Sequence, residues 1–207
     1  MKKWKNLLSI FLPLAFGISI VLISAFRVAQ FQVQAQTDDS AETVQPEEAA
    51  EQMAKGLTGQ VDYYLPYPGI LPDHPLYWLK MIRDRIMLAL TRKPTERLGR
   101  LLLYADKRIG AAAVLVEGGK VELGVATATK AEKYFSQVVA QFKNLRAENK
   151  ATPEMAAQLT KAAAKHEEVL AEILEKVPDQ SRPVVEKTKG ETQQYYQWLD
   201  EIRLGKE

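Results

Sequence analysis

The chain has 207 residues, of which 28 are Lys or Arg and 26 are Asp or Glu, so its net charge is +2. This length accommodates one domain with attached segments and is sufficient to bury a core. The absence of cysteine excludes disulfides, thiolate metal sites, nucleophilic thiols, iron–sulfur clusters and a cysteine-linked lipid anchor, and with the last of these a lipoprotein.

The N-terminus carries a candidate membrane segment. Three lysines among the first five residues precede an uncharged, apolar run over residues 6–26. A run of about 20 apolar residues spans a bilayer as a helix, whereas a cleaved signal peptide usually has about 7–15. We therefore expect residues 1–30 to form an uncleaved anchor, with its amino end in the cytoplasm and the remaining chain exported. The alternative is cleavage after Ala35, which would release a secreted protein.

An acidic segment follows the apolar run. Residues 36–74 contain eight acidic residues and a single basic residue, Lys55. The first part lacks aromatic residues and is rich in Asp, Glu, Gln and Ala, a composition typical of flexible spacers. We expect residues 31–60 to form an acidic, flexible tether that holds the domain off the membrane.

A segment rich in proline and tyrosine precedes the first predicted helix. Residues 61–74 favour an extended, semi-rigid strip that lies across a surface. Two interpretations of the aromatic residues in this segment and at the start of the following helix stay open. They form an aromatic docking groove for a partner, or they clamp the strip onto the chain's own bundle. These residues are Tyr63, Tyr64, Tyr67, Tyr77 and Trp78.

The rest of the chain predicts an all-α fold. Apolar residues recur every three or four positions, proline or glycine separates the periodic segments, and no segment alternates as a strand would. The predicted helices cover about residues 75–92, 94–117, 120–149, 153–177 and 181–204. Together with the N-terminal transmembrane helix and the tether, they predict an antiparallel bundle of about five helices over residues 75–207.

The first of these helices has a recognisable start and an apolar stripe. Pro75 fits the first helical turn, with Asp73 or His74 as the N-cap. The stripe that predicts the helix consists of Leu76, Leu79, Ile82, Ile86 and Leu90.

His166 is the strongest candidate for acid–base or metal chemistry, because it is followed by Glu167 and Glu168 on the fourth helix. A protease-like zinc helix requires a second histidine four residues on, where this chain has Leu170. A di-metal bundle requires Glu-x-x-His on two helices, and neither histidine of this sequence follows such a glutamate. We expect a structural histidine, and no catalytic, cofactor-binding or metal-binding residue.

Basic residues crowd the first two helices. The cluster consists of Arg83, Arg85, Arg92, Lys93, Arg97, Arg100, Lys107 and Arg108. One interpretation gives Arg97 and Arg100 a role in contacting anionic lipid headgroups, a wall polymer or an acidic envelope protein. The other is a solvated face paired with nearby acids. Nucleic acid is not an expected partner on the exported side.

The opening of the first helix resembles a known family. Residues 71–80 read Leu-Pro-x-x-Pro-Leu-Tyr-x-Leu-Lys, and a basic helix and a Glu117-Gly118 turn follow. Over about residues 61–145 the chain resembles an uncharacterised bacterial family of exported or membrane-anchored helical proteins. In some members this domain is the extracytoplasmic part of anti-sigma-type proteins. The resemblance implies a helical fold and export, and it implies no catalytic residue.

Two classes of function follow from these patterns. The first is a membrane-tethered extracytoplasmic module without catalytic activity, serving interaction, sensing or envelope structure, with the bilayer contacted through residues 6–26. The second is an exported ligand-binding or metal-binding protein, or an enzyme, with a site assembled inside the bundle. About five cytoplasmic residues are too few to deliver a signal directly, which argues against direct control of a sigma factor.

Overall fold

A computed structural model describes residues 61–206. The predicted anchor, the cleavage position after Ala35 and the predicted tether lie outside the described residues. Within them the fold is all α, as predicted, with five helices and no strand. The helices are α1 Tyr77–Leu90, α2 Pro94–Glu117, α3 Val121–Ala147, α4 Pro153–Lys176 and α5 Arg182–Arg203.

Four of the helices form the bundle. α2 packs along α3 and α4 along α5, and further contacts join α2 to α4 and α3 to α5. α1 differs, because its helix contacts in the described chain are made mainly with α2. The core therefore lies among α2, α3, α4 and α5, and α1 lies on its outside.

Local chemistry explains where the bundle helices begin and end. Pro94 and Pro153 occupy the first turns of α2 and α4, where the missing N–H costs nothing. The Thr152 hydroxyl accepts the Met155 N–H at 3.3 Å and caps α4. Gly119, the second residue after α2, has a φ of +77°, a conformation that glycine adopts without steric cost.

The core is divided into two apolar clusters. One surrounds the fully buried Phe135 and Phe142, and the other surrounds Ile109, Val169 and Ile173. Along each of the long helices α2, α3 and α4, residues of one cluster are followed by residues of the other. A buried polar residue stands between the two clusters on each of these helices.

The start of α1 differs from the prediction. The helix begins at Tyr77 rather than Pro75, and the apolar side chain of its N-cap residue, Leu76, accepts no hydrogen bond from the first turn. Asp73 pairs with Lys120 at the start of α3, so its carboxylate does not cap α1. The His74 ring instead accepts the Leu76 N–H at 3.1 Å, within a series of turns.

The apolar stripe of α1 does not line the core. Leu79, Ile82, Ile86 and Leu90 are each about half exposed or more, and Asp84 is the one residue of this fully described helix that is buried. The periodicity predicted a helix here, but the polar side of that helix is the side that docks.

No membrane-spanning helix is found in residues 61–206, because none of the helices there has both the length and the hydropathy that a span requires.

Candidate functional site

A fully buried histidine lies between two carboxylates at the centre of the bundle. The Nδ1 atom of His166 on α4 is 2.6 Å from Glu132 Oε1 on α3. Its Nε2 atom is 3.0 Å from Asp106 Oδ1 on α2. The three helices that carry these residues are thereby joined through a single imidazole ring.

The outer carboxylate oxygens are also occupied. The Tyr63 hydroxyl donates to Asp106 Oδ2 at 2.7 Å, and the Thr192 hydroxyl donates to Glu132 Oε2 at 2.8 Å. Tyr63, Asp106, Glu132, His166 and Thr192 are called the polar layer below. Each bundle helix and the segment before α1 contributes one member, so the polar layer links five parts of the chain.

Electrostatics favour a charged imidazole in this position. Burial by itself would lower the pKa of His166, but the charges and hydrogen bonds of Glu132 and Asp106 outweigh burial and raise the pKa to about 9. Burial and the neighbouring Asp106 likewise raise the pKa of Tyr63, so its hydroxyl keeps the proton that it donates. His166 is therefore an imidazolium that donates to two carboxylates at neutral pH.

Both ring nitrogens of His166 are engaged in this arrangement. Both nitrogens of the charged ring act as donors, so neither has a lone pair to give to a metal or a substrate proton. In residues 61–206 no buried side-chain nitrogen or oxygen lacks a hydrogen-bond partner. The same part of the chain holds no group of three or more His, Asp or Glu side chains arranged to bind a metal ion.

The segment before α1 is fastened to the bundle at several points. Beside the Tyr63 bond, the Val61 N–H donates to Glu168 Oε2 at 3.0 Å, and Leu65 is buried. Glu168 in turn accepts a hydrogen bond from the buried Lys165 at 2.6 Å. This extended segment therefore lies across the bundle surface and packs on it.

A second group of buried charges docks α1 on α2. Asp84 is buried and lies 3.7 Å from the guanidinium Nη2 of Arg108. Arg108 stacks on the ring of Tyr134, with 4.2 Å between the guanidinium carbon and the ring centroid, and donates to the Tyr104 carbonyl at 3.0 Å. The polar side of α1 thus docks through one ion pair.

Lys80 extends this docking to the strip. Its ammonium group donates to the carbonyls of Pro68 and Ile70, at 2.6 and 3.1 Å. Burial lowers the pKa of Lys80 to about 8, and the positive charge of Arg108 adds to this effect against the opposing charge of Asp84. The contact holds the end of the strip against the first turns of α1.

The structure disperses the residues that the sequence proposed as an interaction surface. Tyr63 points into the polar layer, whereas Tyr64, Tyr67 and Trp78 are 72%, 51% and 56% exposed. The Arg97 guanidinium donates to the Leu88 carbonyl at 2.9 Å and ties α2 to the last turn of α1. Arg100 is half-buried on α2.

Sequence reasoning placed His166 in a structural role but did not find its partners. Asp106 and Glu132 lie 60 and 34 residues away from His166 along the chain. The available signal was an acidic residue directly after a core alanine on α2 and again on α3, at Ala105 and Ala131. An acidic side chain at a buried position requires a hydrogen-bond partner, and here the partner lies on another helix.

An open groove lies beside the polar layer. Its lining comes from α3 and α5, with a volume of about 560 Å³, and includes Thr129, Lys133, Ser136, Lys187 and Glu191. Glu132 borders the groove, but both of its carboxylate oxygens are already occupied by His166 and Thr192. The groove therefore presents hydroxyl and ammonium groups at its surface, and its one buried acid, Glu132, is already hydrogen-bonded within the polar layer.

Comparison with protein families gives one assignment. The family model described as Domain of unknown function (DUF5667) matches residues 69–180, slightly more than half of the chain. The chain belongs to this family. The DUF5667 match contains α1 to α4 and hence Asp106, Glu132 and His166, whereas Tyr63 and Thr192 lie outside it. No curated protein and no solved structure matches the chain.

We predict that Tyr63→Phe lowers the free energy of unfolding by about 1–3 kcal/mol, because it removes one donor from the buried Asp106. Tyr64→Phe is the matched control and should be nearly neutral, since Tyr64 is 72% exposed. Urea unfolding followed by circular dichroism measures both variants. Equal stabilities for the two variants would contradict the assigned hydrogen bond.

The raised pKa of His166 predicts a loss of stability in mildly alkaline solution. The pKa is about 9 in the folded chain, against an ordinary histidine pKa of 6.5. The contribution of the charged His166 to the free energy of unfolding is therefore fully present below about pH 6.5 and is lost as the pH rises through about 9. This contribution is roughly 3 kcal/mol at most. Urea unfolding at a series of pH values measures it.

His166→Gln should remove this pH dependence and lower the free energy of unfolding by about 3–5 kcal/mol, since two buried carboxylates lose their cation. His74→Gln is the control, because His74 is exposed and forms no part of the polar layer. A wild-type stability that stays flat from pH 6.5 to pH 9 would contradict the charged imidazole.

Proposed function

We propose that the chain is a membrane-tethered, extracytoplasmic helical module that acts through its surface and has no catalytic activity. Its role is interaction, sensing or support within the envelope. Residues 6–26 would cross the bilayer, residues 31–60 would act as the tether, and the bundle would stand on the exported side. An envelope protein, a wall polymer or anionic lipid is the expected class of partner.

One observation supports the non-catalytic part of this proposal most strongly. The polar layer is the largest assembly of buried acid–base groups in residues 61–206, and its hydrogen-bonding atoms are occupied by one another. Catalysis requires a group within reach of a substrate and with a free site for a proton or bond. A buried imidazolium with two engaged nitrogens meets neither condition.

The membrane part of the proposal is supported by the sequence pattern of the N-terminus. The lysines before residue 6 and the 21-residue apolar run fit an anchor that keeps its amino end in the cytoplasm. We also propose that residues 71–80 form the opening motif of this family. We further propose that an association with anti-sigma-type systems runs through another membrane protein.

Single cysteines test the proposed topology, because the native chain contains none. A membrane-impermeant maleimide added to intact cells should label Glu186→Cys, an exposed position on α5, and should leave Lys3→Cys unlabelled until lysis. Mass spectrometry of the membrane fraction should recover a peptide that begins at Met1. Labelling of position 186 only after lysis would contradict the proposed topology. A mature N-terminus at Gln36 would show that the protein is cleaved and secreted and is not anchored in the membrane.

The partner is tested by crosslinking the full chain in its own membranes. A reproducible envelope protein or wall fragment recovered with the intact chain would support the interaction module. If no such partner is recovered, and a ligand or metal panel raises the melting temperature through the groove between α3 and α5, the ligand-binding alternative is favoured.

A further inference from the structure

α1 is an amphipathic helix docked by its polar side. Tyr77, Lys80, Asp84 and Leu88 recur at the spacing of one helical face, and this face turns toward α2 and the strip. The buried Asp84 pairs with Arg108, and Lys80 bonds to two backbone carbonyls. A globular helix normally buries its apolar side, so α1 is inverted.

The inverted orientation leaves a continuous apolar face on the outside. At 3.6 residues per turn, Trp78, Leu79, Ile82, Ile86 and Leu90 share the side opposite Asp84. Their exposed fractions range from 48% to 69%. A cluster of this size on one helix marks a surface that binds something apolar, because isolated exposed apolar residues are common but contiguous faces are not.

Arginines border this apolar face on both sides. Arg83 and Arg85 fall at its two edges on the helix, and both are exposed. The exposed Arg92 follows in the turn after α1, whereas Lys93 beside it pairs with Glu96 at 3.0 Å. α1 is described throughout, and its single acidic residue is the buried Asp84. The face therefore combines apolar side chains with positive charge and presents no exposed carboxylate.

This charge pattern distinguishes the classes of occupant. Arg83 at one edge already pairs with Asp84 at 2.9 Å. A second copy that packed the same face against itself would bring Arg85 and Arg92 of the two copies together with no further acid on either α1. In a bilayer with anionic headgroups, the apolar side chains of α1 would enter the boundary of the acyl chains, and the arginines would lie at the level of the negatively charged headgroups. Trp78, at the first turn, belongs to the residue type enriched at membrane interfaces.

The position of α1 in the chain favours the same occupant. Residues 27–60 separate the predicted membrane span from Val61, and a chain of 34 residues reaches at most roughly 120 Å when fully extended. α1 begins 16 residues after Val61. A head tethered in this way experiences a high local concentration of membrane surface, so weak interfacial binding is sufficient.

We propose that the outward face of α1 inserts into the headgroup region of an anionic bilayer and lays the bundle against the membrane. The apolar face is Trp78, Leu79, Ile82, Ile86 and Leu90, with Arg85 and Arg92 contacting lipid phosphate. The proposal rests on the tether of the proposed function. Because α1 is already helical and is docked on α2 through Asp84 and Arg108, binding does not require the helix to fold on the membrane.

A spin label tests the depth of α1. The full chain carrying Ile86→Cys or the control Glu186→Cys is labelled and reconstituted into vesicles of phosphatidylcholine alone or of phosphatidylcholine with phosphatidylglycerol. At position 86, the ratio of collisions with oxygen to collisions with a water-soluble nickel complex should rise several-fold in the anionic vesicles only. At position 186 this ratio should stay at its aqueous value in both kinds of vesicle.

Charge reversal tests the role of the arginines. Arg85→Glu with Arg92→Glu should lower the ratio of membrane-bound to unbound α1 at least about tenfold. The control pair Lys187→Glu with Lys206→Glu makes the same change in net charge at exposed positions outside α1 and should leave that ratio unchanged. Arg83 is kept, since it donates to Asp84.

The outcomes separate this inference from the proposed function. If flotation shows the chain fixed to both kinds of vesicle while position 86 stays accessible to nickel, the inference is overturned and the tether stands. If the chain dissociates from the zwitterionic vesicles in high salt, the proposed membrane anchor is wrong, irrespective of the result at position 86. Protection of position 86 that depends on protein concentration and not on lipid charge would indicate a second copy and overturn the inference.

Discussion

A charged imidazole between two carboxylates organises the described part of this protein. His166 joins α2, α3 and α4 through Asp106 and Glu132, and Thr192 and Tyr63 complete the set from α5 and from the segment before α1. Buried ion pairs add little to stability over an apolar core of similar volume, but they exclude arrangements that leave a charge unpaired. We infer that the polar layer fixes the register of the four bundle helices.

The inside and the outside of the described part of the molecule differ in their chemistry. Inside residues 61–206, the acid–base groups of the polar layer are hydrogen-bonded to one another and join the helices of the bundle. Outside, α1 exposes an apolar face because its polar side satisfies Arg108 and two backbone carbonyls. A contiguous exposed apolar helix face is uncommon in soluble proteins unless a partner or a membrane covers it.

Local chemistry in the sequence predicted much of the bundle. Thr152 and Pro153 favour the start of a helix, and Gly119 favours a helix end. Both preferences depend only on residues that are close in sequence. The orientation of α1 could not be predicted in this way. Periodicity shows which residues share a helix face, but whether Asp84 or Ile86 is buried depends on Arg108, which lies on another helix. The partners of His166 were missed for the same reason, since a pairing across 34 or 60 residues leaves no local pattern.

The polar layer depends on the protonation of His166, a buried imidazolium engaged on both sides. Nitrogen NMR of the uniformly labelled full chain measures it directly, because the sequence holds two histidines and His74→Gln assigns the remaining signal. We expect both ring nitrogens of His166 to carry protons at neutral pH and the ring to titrate near pH 9. A ring that is neutral at pH 7, or one whose protons exchange rapidly with water, would contradict it.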